Sequence, residues 1–125
     1  KLFRKGARAG GLYSPIGDLM NPARLLICEG WATGATLHEE SALPVLCAMN
    51  AGNLLPVAKA ARAAWPDADL VICADDDRKT AGNPGLTAAT KAAKETGARL
   101  AIPEFPEGVA GTDFNDLANL RTAAR

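Results

Sequence analysis

The sequence lacks the features that would assign it to several large classes of protein. It contains no run of about 18 consecutive apolar residues, so no membrane-spanning helix is encoded, and no signal peptide is recognisable. Acidic and basic residues number 14 each, so the net charge gives no general attraction to nucleic acid. No internal repeat or low-complexity tract interrupts the chain. These absences leave one globular domain of 125 residues with an ordinary apolar fraction of 48%.

Cysteine and histidine are both scarce. Cys28, Cys47 and Cys73 do not form a C-x-x-C pair, so a zinc site is not indicated. Each cysteine follows a short apolar run, and we expect all three to be buried free thiols in neighbouring strands. Free thiols fit a reducing cytoplasm. The one histidine, His38, lies on a predicted helix and is given no catalytic role.

The N-terminal segment carries an excess of positive charge. Residues 1–24 contain five basic side chains and one acidic side chain. Two interpretations stay open, a basic arm that contacts phosphates and a solvated hairpin or linker. Short stretches at 2–4 and 12–14 flank Gly10-Gly11 and predict a hairpin. We therefore divide the chain into a lead-in over residues 1–23 and a domain over 24–125, which we expect to be a fragment of a longer polypeptide.

Short apolar runs alternate with longer helical patterns over the rest of the chain. This alternation predicts βαβ units and a parallel sheet. The core strands are predicted at 24–28, 44–48, 69–74 and 98–102. The helices are predicted at 32–41, from an Asn53 cap to Trp65, from an Asn83 cap to Thr96, and from about 113. Gly97 is the residue type expected just after a helix.

Acidic residues follow three of the four predicted core strands. Glu29 comes after the first strand, the triplet Asp75–Asp77 after the third, and Asp113 in the segment after the fourth. Ligands of open parallel sheets bind beyond the carboxyl ends of the strands. Scattered surface acids would not concentrate at that edge so consistently, so we predict the functional site there.

Asp75 and Asp77 have the spacing of a metal-binding pair. In an extended strand their side chains would point to opposite faces, but a loop that bends at once directs both onto one ion. Mg²⁺ prefers oxygen ligands and keeps several waters, so one or two carboxylates are enough. Crowded carboxylates raise each other's pKa unless a cation neutralises them. A solvated acidic loop is the alternative, and the strand context together with Glu29 favours the metal site.

Glu29 is a candidate general acid or base, or a further metal ligand. Gly30 allows backbone or ligand to approach closely at the strand-to-helix turn. The alternative is that Glu29 only flanks the helix that follows. Arg78 and Lys79 come directly after the aspartates and are candidates to hold a triphosphate or a DNA phosphate. Balancing the local acids would explain these two basic residues equally well.

Asp113 and Asp116 lie where the last helix is predicted to begin. Asp113 is a good N-cap residue, and Asp116 falls in the first turn, where acids suit the helix dipole. Helix capping explains the presence of these two residues no better and no worse than a role in the functional site. The two roles are compatible.

Several runs of residues resemble the toprim domain family. Leu25–Gly30 and Ala74–Arg78 resemble its Glu-Gly after one strand and its Asp-x-Asp after a later strand. Gly111–Leu117 resembles a segment of primases and primase–helicases, and Gly85 resembles the start of the helix after Asp-x-Asp. The stretch 5–13 is similar to the lead-in of plasmid and phage primases, conjugative plasmids included. The resemblance covers about Arg24 to Leu120.

The sequence departs from that pattern at two positions. Thr33 stands where some toprim primases have another acid, which puts a secondary metal ligand in doubt. Thr112 stands where a lysine is common, which bears on phosphate contacts.

The resemblance implies an α/β fold, a three-layer α/β/α Rossmann-like toprim domain with a central four-stranded parallel sheet. Glu29 and Asp75 must share one crevice, so we predict that the first and third core strands are adjacent, giving the order 2-1-3-4. The implied activity is that of a DNA primase, with nucleotidyl transfer from NTPs to a short RNA primer on single-stranded DNA. A helicase or other domains of the parent protein are possible further partners, and no membrane is involved.

The resemblance also assigns roles to residues. Asp75 and Asp77 would hold Mg²⁺ or Mn²⁺, Glu29 would assist proton transfer at the attacking 3′-hydroxyl or bind metal, and Asp113 would extend the acidic patch. The residues implied to bind nucleotide or phosphate are Gly30, Arg78 and Lys79. The secondary residues of the site are Asp76, Asn115 and Asp116.

Three rival functions stay open. The first rival is another toprim enzyme, a topoisomerase or a nuclease, but the Asn115–Leu117 run favours a primase. A haloacid-dehalogenase-type phosphatase also has D-x-D after a strand, but it expects threonine where Lys79 stands. The third rival is a non-catalytic module that binds metal and DNA.

Overall fold

The computed structural model describes residues 10–123. Its strands are β1 (Ser14–Ile16), β2 (Arg24–Cys28), β3 (Val45–Cys47), β4 (Asp69–Cys73) and β5 (Arg99–Ala101). Its α-helices are α1 (Trp31–Ser41), α2 (Leu54–Ala64), α3 (Pro84–Thr96) and α4 (Phe114–Ala123), and a 3₁₀ turn over Ala51–Asn53 precedes α2. None of these helices is long and apolar enough to cross a membrane.

The strands form one sheet in the order β1-β3-β2-β4-β5. The inner four strands run parallel, and β1 pairs antiparallel with β3 at one edge. The predicted order of the four core strands is therefore confirmed. The sequence did not predict the fifth strand as part of this sheet. It lies at 14–16 instead of 12–14, and the other arm of the predicted hairpin, at 2–4, lies outside the described residues.

Alternating side chains of the central strands face two layers of helices. Leu25 and Ile27 pack with α2 and α3 on one face of the sheet. Leu26 and Cys28 pack on the opposite face, against residues of α1 and the start of α4. Because both faces are covered, the last four residues of β2, Leu25–Cys28, form a continuous apolar run, as expected of a buried parallel strand. The result is the expected three-layer α/β/α arrangement.

The three cysteines are all buried, as predicted. Cys28 is in register with Cys47 on β3 and with Cys73 on β4. The Sγ atoms of Cys28 and Cys47 are 3.8 Å apart, and burial raises the pKa of Cys73 to about 12. Gly34 of α1 lies directly over this row, and a Cβ there would collide with Cys47 Sγ. The thiols thus pack as small apolar groups beneath a glycine.

The predicted ends of α3 are confirmed. Asn83 Oδ1 accepts a hydrogen bond from the Leu86 amide at 3.4 Å, and Pro84 is the first helical residue. Gly97 follows the helix with φ of 69°, a left-handed conformation that glycine adopts at low cost.

The prediction that the Asn53 side chain caps α2 is wrong, although Asn53 does lie at the position before the helix. Asn53 precedes the helix, but its side chain makes no capping hydrogen bond. Its Oδ1 accepts from the Gly11 amide at 2.7 Å, and its Nδ2 donates to Leu12 and Ala48 carbonyls at 2.7 and 3.0 Å. The 3₁₀ turn moves the capping role to Asn50, whose Oδ1 accepts from the Asn53 amide. Asn53 is thereby free to fasten the segment before β1 to the sheet.

Candidate active site

The carboxyl ends of β2 and β4 bring the first two acidic segments together. Cys28 and Cys73 are paired in register at the ends of these adjacent parallel strands. Glu29 directly follows Cys28, and Asp75 lies two residues beyond Cys73. The predicted sharing of one crevice by Glu29 and Asp75 therefore follows from the strand order.

Asp75 is the centre of a group of four carboxylates. Its pKa is raised from 3.8 to about 8. Burial is the largest cause, and the next are the charge of Glu29, a hydrogen bond to Glu29, and the charges of Asp113 and Asp77. Its Oδ1 atom is buried and has no hydrogen-bond partner among the described residues. A buried oxygen without a partner is costly in a packed protein. A bound cation would therefore stabilise Asp75 more than any other residue at this edge of the sheet.

Asp77 is fixed by the start of α3. Its amide donates to Asn83 Oδ1 at 2.7 Å, and its Oδ2 accepts from the Gly85 amide at 2.9 Å. A Cβ at Gly85 would lie 2.7 Å from Asp77 Oδ2 and 2.8 Å from Asp75 Cβ. Glycine is therefore needed here for both aspartates to keep their positions.

Asp76 has a structural role in the loop. Its Oδ1 accepts from Asn83 Nδ2 at 2.7 Å, and its Oδ2 lies 3.7 Å from Arg78 Nε. Its amide donates to the Thr112 carbonyl at 2.5 Å. Asp76 thus joins the Asp-x-Asp loop to the segment before α4.

Asp113 and Asp116 cap α4 reciprocally. Asp113 Oδ1 accepts from the Asp116 amide at 2.8 Å, and Asp116 Oδ2 accepts from the amides of Thr112 and Asp113 at 3.0 and 3.5 Å. The capping interpretation is therefore correct in geometry. Since the charge of Asp113 also acts on Asp75, Asp113 belongs to the carboxylate group as well. Asp116 is directed back to the helix start.

Gly30 has a conformation that any residue can adopt, with φ of −96° and ψ of 156°. A Cβ at this position would meet nothing within 4 Å. Neither the backbone nor the packing therefore requires glycine, and the missing side chain leaves open space beside Glu29. Two residues with exposed apolar side chains are close to Glu29-Gly30 along the backbone: Trp31 follows Gly30, and the Met49 amide donates to the Glu29 carbonyl.

Arg78 and Lys79 have different surroundings. The Arg78 guanidinium donates through Nη2 to the Gly111 carbonyl at 2.8 Å, and it lies 4.9 Å from the centre of the Phe105 ring. Lys79 is exposed and forms no salt bridge within residues 10–123. Both line a pocket of about 160 Å³ between the Asp-x-Asp loop and residues 110–112. Of the two basic residues predicted to bind phosphate, only Lys79 has a charged group without a contact among the described residues.

Asn115 and Thr33 have structural surroundings on α4 and α1. Asn115 Oδ1 accepts from Thr36 Oγ1 at 2.7 Å, which ties α4 to α1. Thr33, at the position where some toprim primases have an acid, is 1% exposed and belongs to the core. Asn115 therefore positions α4, and the chain supplies no further carboxylate at position 33.

The described residues contain no group of three or more histidine, cysteine, aspartate or glutamate side chains arranged to hold a metal ion. The fit to a cation rests on the chemistry of the donors. Mg²⁺ is commonly held by one or two carboxylates, with water and substrate phosphates completing its shell. The unpartnered Oδ1 of Asp75 and the half-buried carboxylates around it are donors of this kind.

Sequence reasoning missed the residues that support the carboxylates from outside the motifs. Phe105 lies in an irregular loop with no periodic pattern, and Thr36 is one of two threonines on α1. Asn83 was predicted only as a helix cap, although it also binds Asp76 and Asp77. The signal available for Phe105 was Gly111, because a glycine next to the acidic segment indicates close packing by another group.

Comparisons with known proteins agree with this geometry. A family model described as "Toprim domain" matches residues 24–124. A protein of Escherichia coli named DNA primase TraC is 40% identical over 115 residues, which cover 86% of this chain and 11% of that protein. A second E. coli protein of the same name is 36% identical over 112 residues, covering 84% and 8%. The chain thus spans about a tenth of the length of these relatives. No solved structure matches the chain.

Proposed function

The chain belongs to the toprim domain family, and from this premise we propose that it is the metal-dependent catalytic domain of a DNA primase. The reaction is transfer of nucleotides from NTPs to a growing RNA primer on a single-stranded DNA template. Support for a primase among toprim enzymes comes from the two relatives named DNA primase TraC.

The observation that carries the proposal is the crowding of carboxylates around Asp75. Glu29, Asp77 and Asp113 all act electrostatically on Asp75, and its Oδ1 has no partner among the described residues. Like charges in one partly buried site destabilise each other unless a cation or a proton intervenes. Such an arrangement destabilises the folded chain when it is empty, and it is well suited to bind a divalent ion.

The residues divide into three roles in this proposal. Asp75 and Asp77 hold Mg²⁺ or Mn²⁺, and Asp113 adds negative charge. When bound, the ion supplies stabilisation of the charge that develops on the attacking and leaving oxygens. Glu29 accepts the proton of the primer 3′-hydroxyl. Lys79 binds nucleotide phosphate at the pocket between the loops.

Gly30 contributes by leaving space. A nucleotide or the primer end can approach the Glu29 carboxylate because no side chain stands at position 30 and nothing else fills that volume. Close approach is what a general base requires, since it must come within hydrogen-bond reach of the proton it takes.

The test is ribonucleotide incorporation on single-stranded DNA by the natural polypeptide that contains this domain. We expect Glu29→Gln to abolish synthesis while Mn²⁺ and DNA binding persist, because the amide keeps the shape and loses the base. Glu40→Gln is the matched control, since Glu40 is exposed near the far end of α1. Synthesis that survives Glu29→Gln would remove Glu29 from catalysis. An unmodified protein that binds metal and DNA without synthesis would be a binding module.

A further inference from the structure

We propose that Arg78 is a positioning residue that holds Asp113 in the carboxylate group by clamping the loop before α4. This role rests on the proposed function, and it replaces the phosphate contact expected for Arg78. The clamp consists of Asp76, Arg78, Phe105 and Gly111.

The first part of the clamp is the set of contacts that holds the Arg78 guanidinium, which we call its seat. Arg78 Nη2 donates to the Gly111 carbonyl at 2.8 Å and approaches the Val109 carbonyl at 3.5 Å. One face of the same group covers the Phe105 ring at 4.9 Å from its centre. Arginine over an aromatic face combines cation–π attraction with directed hydrogen bonds, which lysine cannot reproduce. Asp76 lies 3.7 Å from the Nε atom and balances the charge.

The second part is the contact between Phe105 and Gly111. Gly111 has φ of +155°, and a Cβ there would lie 2.7 Å from Phe105 Cζ and closer still to Cε1. The ring therefore occupies the place that any side chain at 111 would need. Arg78 and Gly111 both contact this one ring, so the loop over residues 105–111 is closed on itself and fixed to the Asp-x-Asp loop.

The third part transmits this fixation to Asp113. The Asp76 amide donates to the Thr112 carbonyl at 2.5 Å, one residue before Asp113. The carbonyl groups of residues 111 and 112 thus accept hydrogen bonds from the Arg78 side chain and the Asp76 amide, both in the loop that carries Asp75 and Asp77. Because Asp113 comes next in the chain, the distance between the two acidic segments depends on these contacts.

Bidentate binding of a phosphate would require Arg78 to leave this seat. Bidentate binding of phosphate uses two parallel N–H groups of the guanidinium, and here Nη2 already donates to carbonyl oxygen while Nε faces Asp76. Lys79 lines the same pocket and is exposed. The two basic residues therefore have separate functions, Arg78 within the protein and Lys79 towards the substrate.

The experiment compares Arg78→Ala, Arg78→Lys and Lys79→Ala in the full chain, with Mn²⁺ binding followed by electron paramagnetic resonance. We expect Arg78→Ala to weaken Mn²⁺ binding about tenfold, the lower end of what loss of a residue supporting metal ligands costs. Arg78→Lys restores part of the affinity, because it keeps the charge without the planar fork. Lys79→Ala leaves Mn²⁺ binding unchanged and weakens binding of an NTP.

Phe105 gives a second, independent pair of variants. Phe105→Tyr keeps the aromatic face and should retain Mn²⁺ affinity, whereas Phe105→Leu should weaken it. Thermal unfolding of each variant identifies those that fail to fold. Equal Mn²⁺ affinity in Phe105→Tyr and Phe105→Leu would show that the aromatic face does not hold the clamp.

Amide hydrogen exchange tests, in the absence of metal, whether Arg78 holds the loop before α4. We expect faster exchange over residues 109–113 in Arg78→Ala than in Lys79→Ala. Unchanged exchange and unchanged Mn²⁺ affinity in Arg78→Ala, with weaker NTP binding alone, would overturn the clamp in favour of a phosphate contact. If the unmodified chain binds no Mn²⁺, the proposed function fails, and the exchange result alone decides whether Arg78 holds the loop.

Discussion

The carboxyl groups of Asp75 and Glu29 come together at the ends of two adjacent parallel strands, close enough for a hydrogen bond between them. Burial and the neighbouring charges raise the pKa of Asp75 to about 8. Near neutral pH this carboxyl group therefore holds a proton unless a cation takes its place.

This raised pKa predicts how stability changes with pH in the absence of metal. The folded chain binds the Asp75 proton more tightly than the unfolded chain, whose pKa is near 3.8. The stabilisation is complete below that value and is lost as pH rises through about 8. We expect the free energy of unfolding in urea with EDTA to fall between pH 5 and pH 8.

Asp75→Asn is the control for that titration. It should remove the part of the pH dependence that comes from Asp75 and raise stability at pH 8 in EDTA, because the amide brings no charge to the group. The same variant and Asp77→Ala should abolish heat of Mn²⁺ binding in calorimetry. A wild-type pH dependence that persists in Asp75→Asn would show that another group carries it.

The two capping aspartates can be separated by substitution. Asp113→Asn keeps a good N-cap and should leave the melting temperature nearly unchanged, but it removes a charge from the carboxylate group and should weaken Mn²⁺ binding. Asp116→Ala loses the hydrogen bonds to the Thr112 and Asp113 amides. It should cost about 1 kcal/mol of stability. Metal affinity that falls equally in both variants would mean that the two residues act only through the helix.

Gly85→Ala is expected to damage both stability and the site. The added Cβ would lie 2.7 Å from Asp77 Oδ2 and 2.8 Å from Asp75 Cβ, and the backbone of Asp75 is also close. Overpacking of this kind costs roughly 1–3 kcal/mol. Urea unfolding and Mn²⁺ calorimetry on the same preparation measure both effects. Unchanged Mn²⁺ affinity would show that the aspartate positions tolerate the shift.

Gly30→Ala should behave in the opposite way. Its backbone angles suit alanine and no atom lies within 4 Å of the new Cβ, so we expect unchanged stability. NTP or primer binding should weaken, because the methyl group occupies the space beside Glu29. Gly52→Ala is a control in the neighbouring loop, where the nearest atom to a Cβ is Asn50 Oδ1 at 3.5 Å. Normal substrate binding by Gly30→Ala would remove Gly30 from the site.

The core of the fold could be predicted because its signals are local. Leu25–Cys28 and Leu70–Cys73 are apolar runs of strand length, and their adjacency followed from requiring Glu29 and Asp75 in one crevice. What could not be predicted depends on contacts between distant segments. The pairing of β1 with β3, the fastening of Gly11 by Asn53 and the covering of Phe105 by Arg78 join residues that no periodic pattern links.

In the candidate site too, local sequence signals could be interpreted, whereas contacts between distant segments could not be predicted. The proximity of Glu29, Asp77 and Asp113 to Asp75 could be predicted because these residues follow strands whose carboxyl ends meet at one edge. The role of Arg78 was assigned from charge alone, and charge does not distinguish a guanidinium that binds substrate from one that binds carbonyl oxygens. Only the position of residues 105–111 makes that distinction.

Within residues 10–123, the two edges of the sheet are each formed by a strand of three residues, β1 and β5. An exposed edge presents unpaired backbone groups to which a strand of another molecule can add, and short edge strands limit this. The central strands, which are the most apolar, are shielded by these two short borders. We therefore expect the domain to resist edge-to-edge aggregation at high concentration, even though its interior consists of the kind of apolar strands that readily form intermolecular sheets.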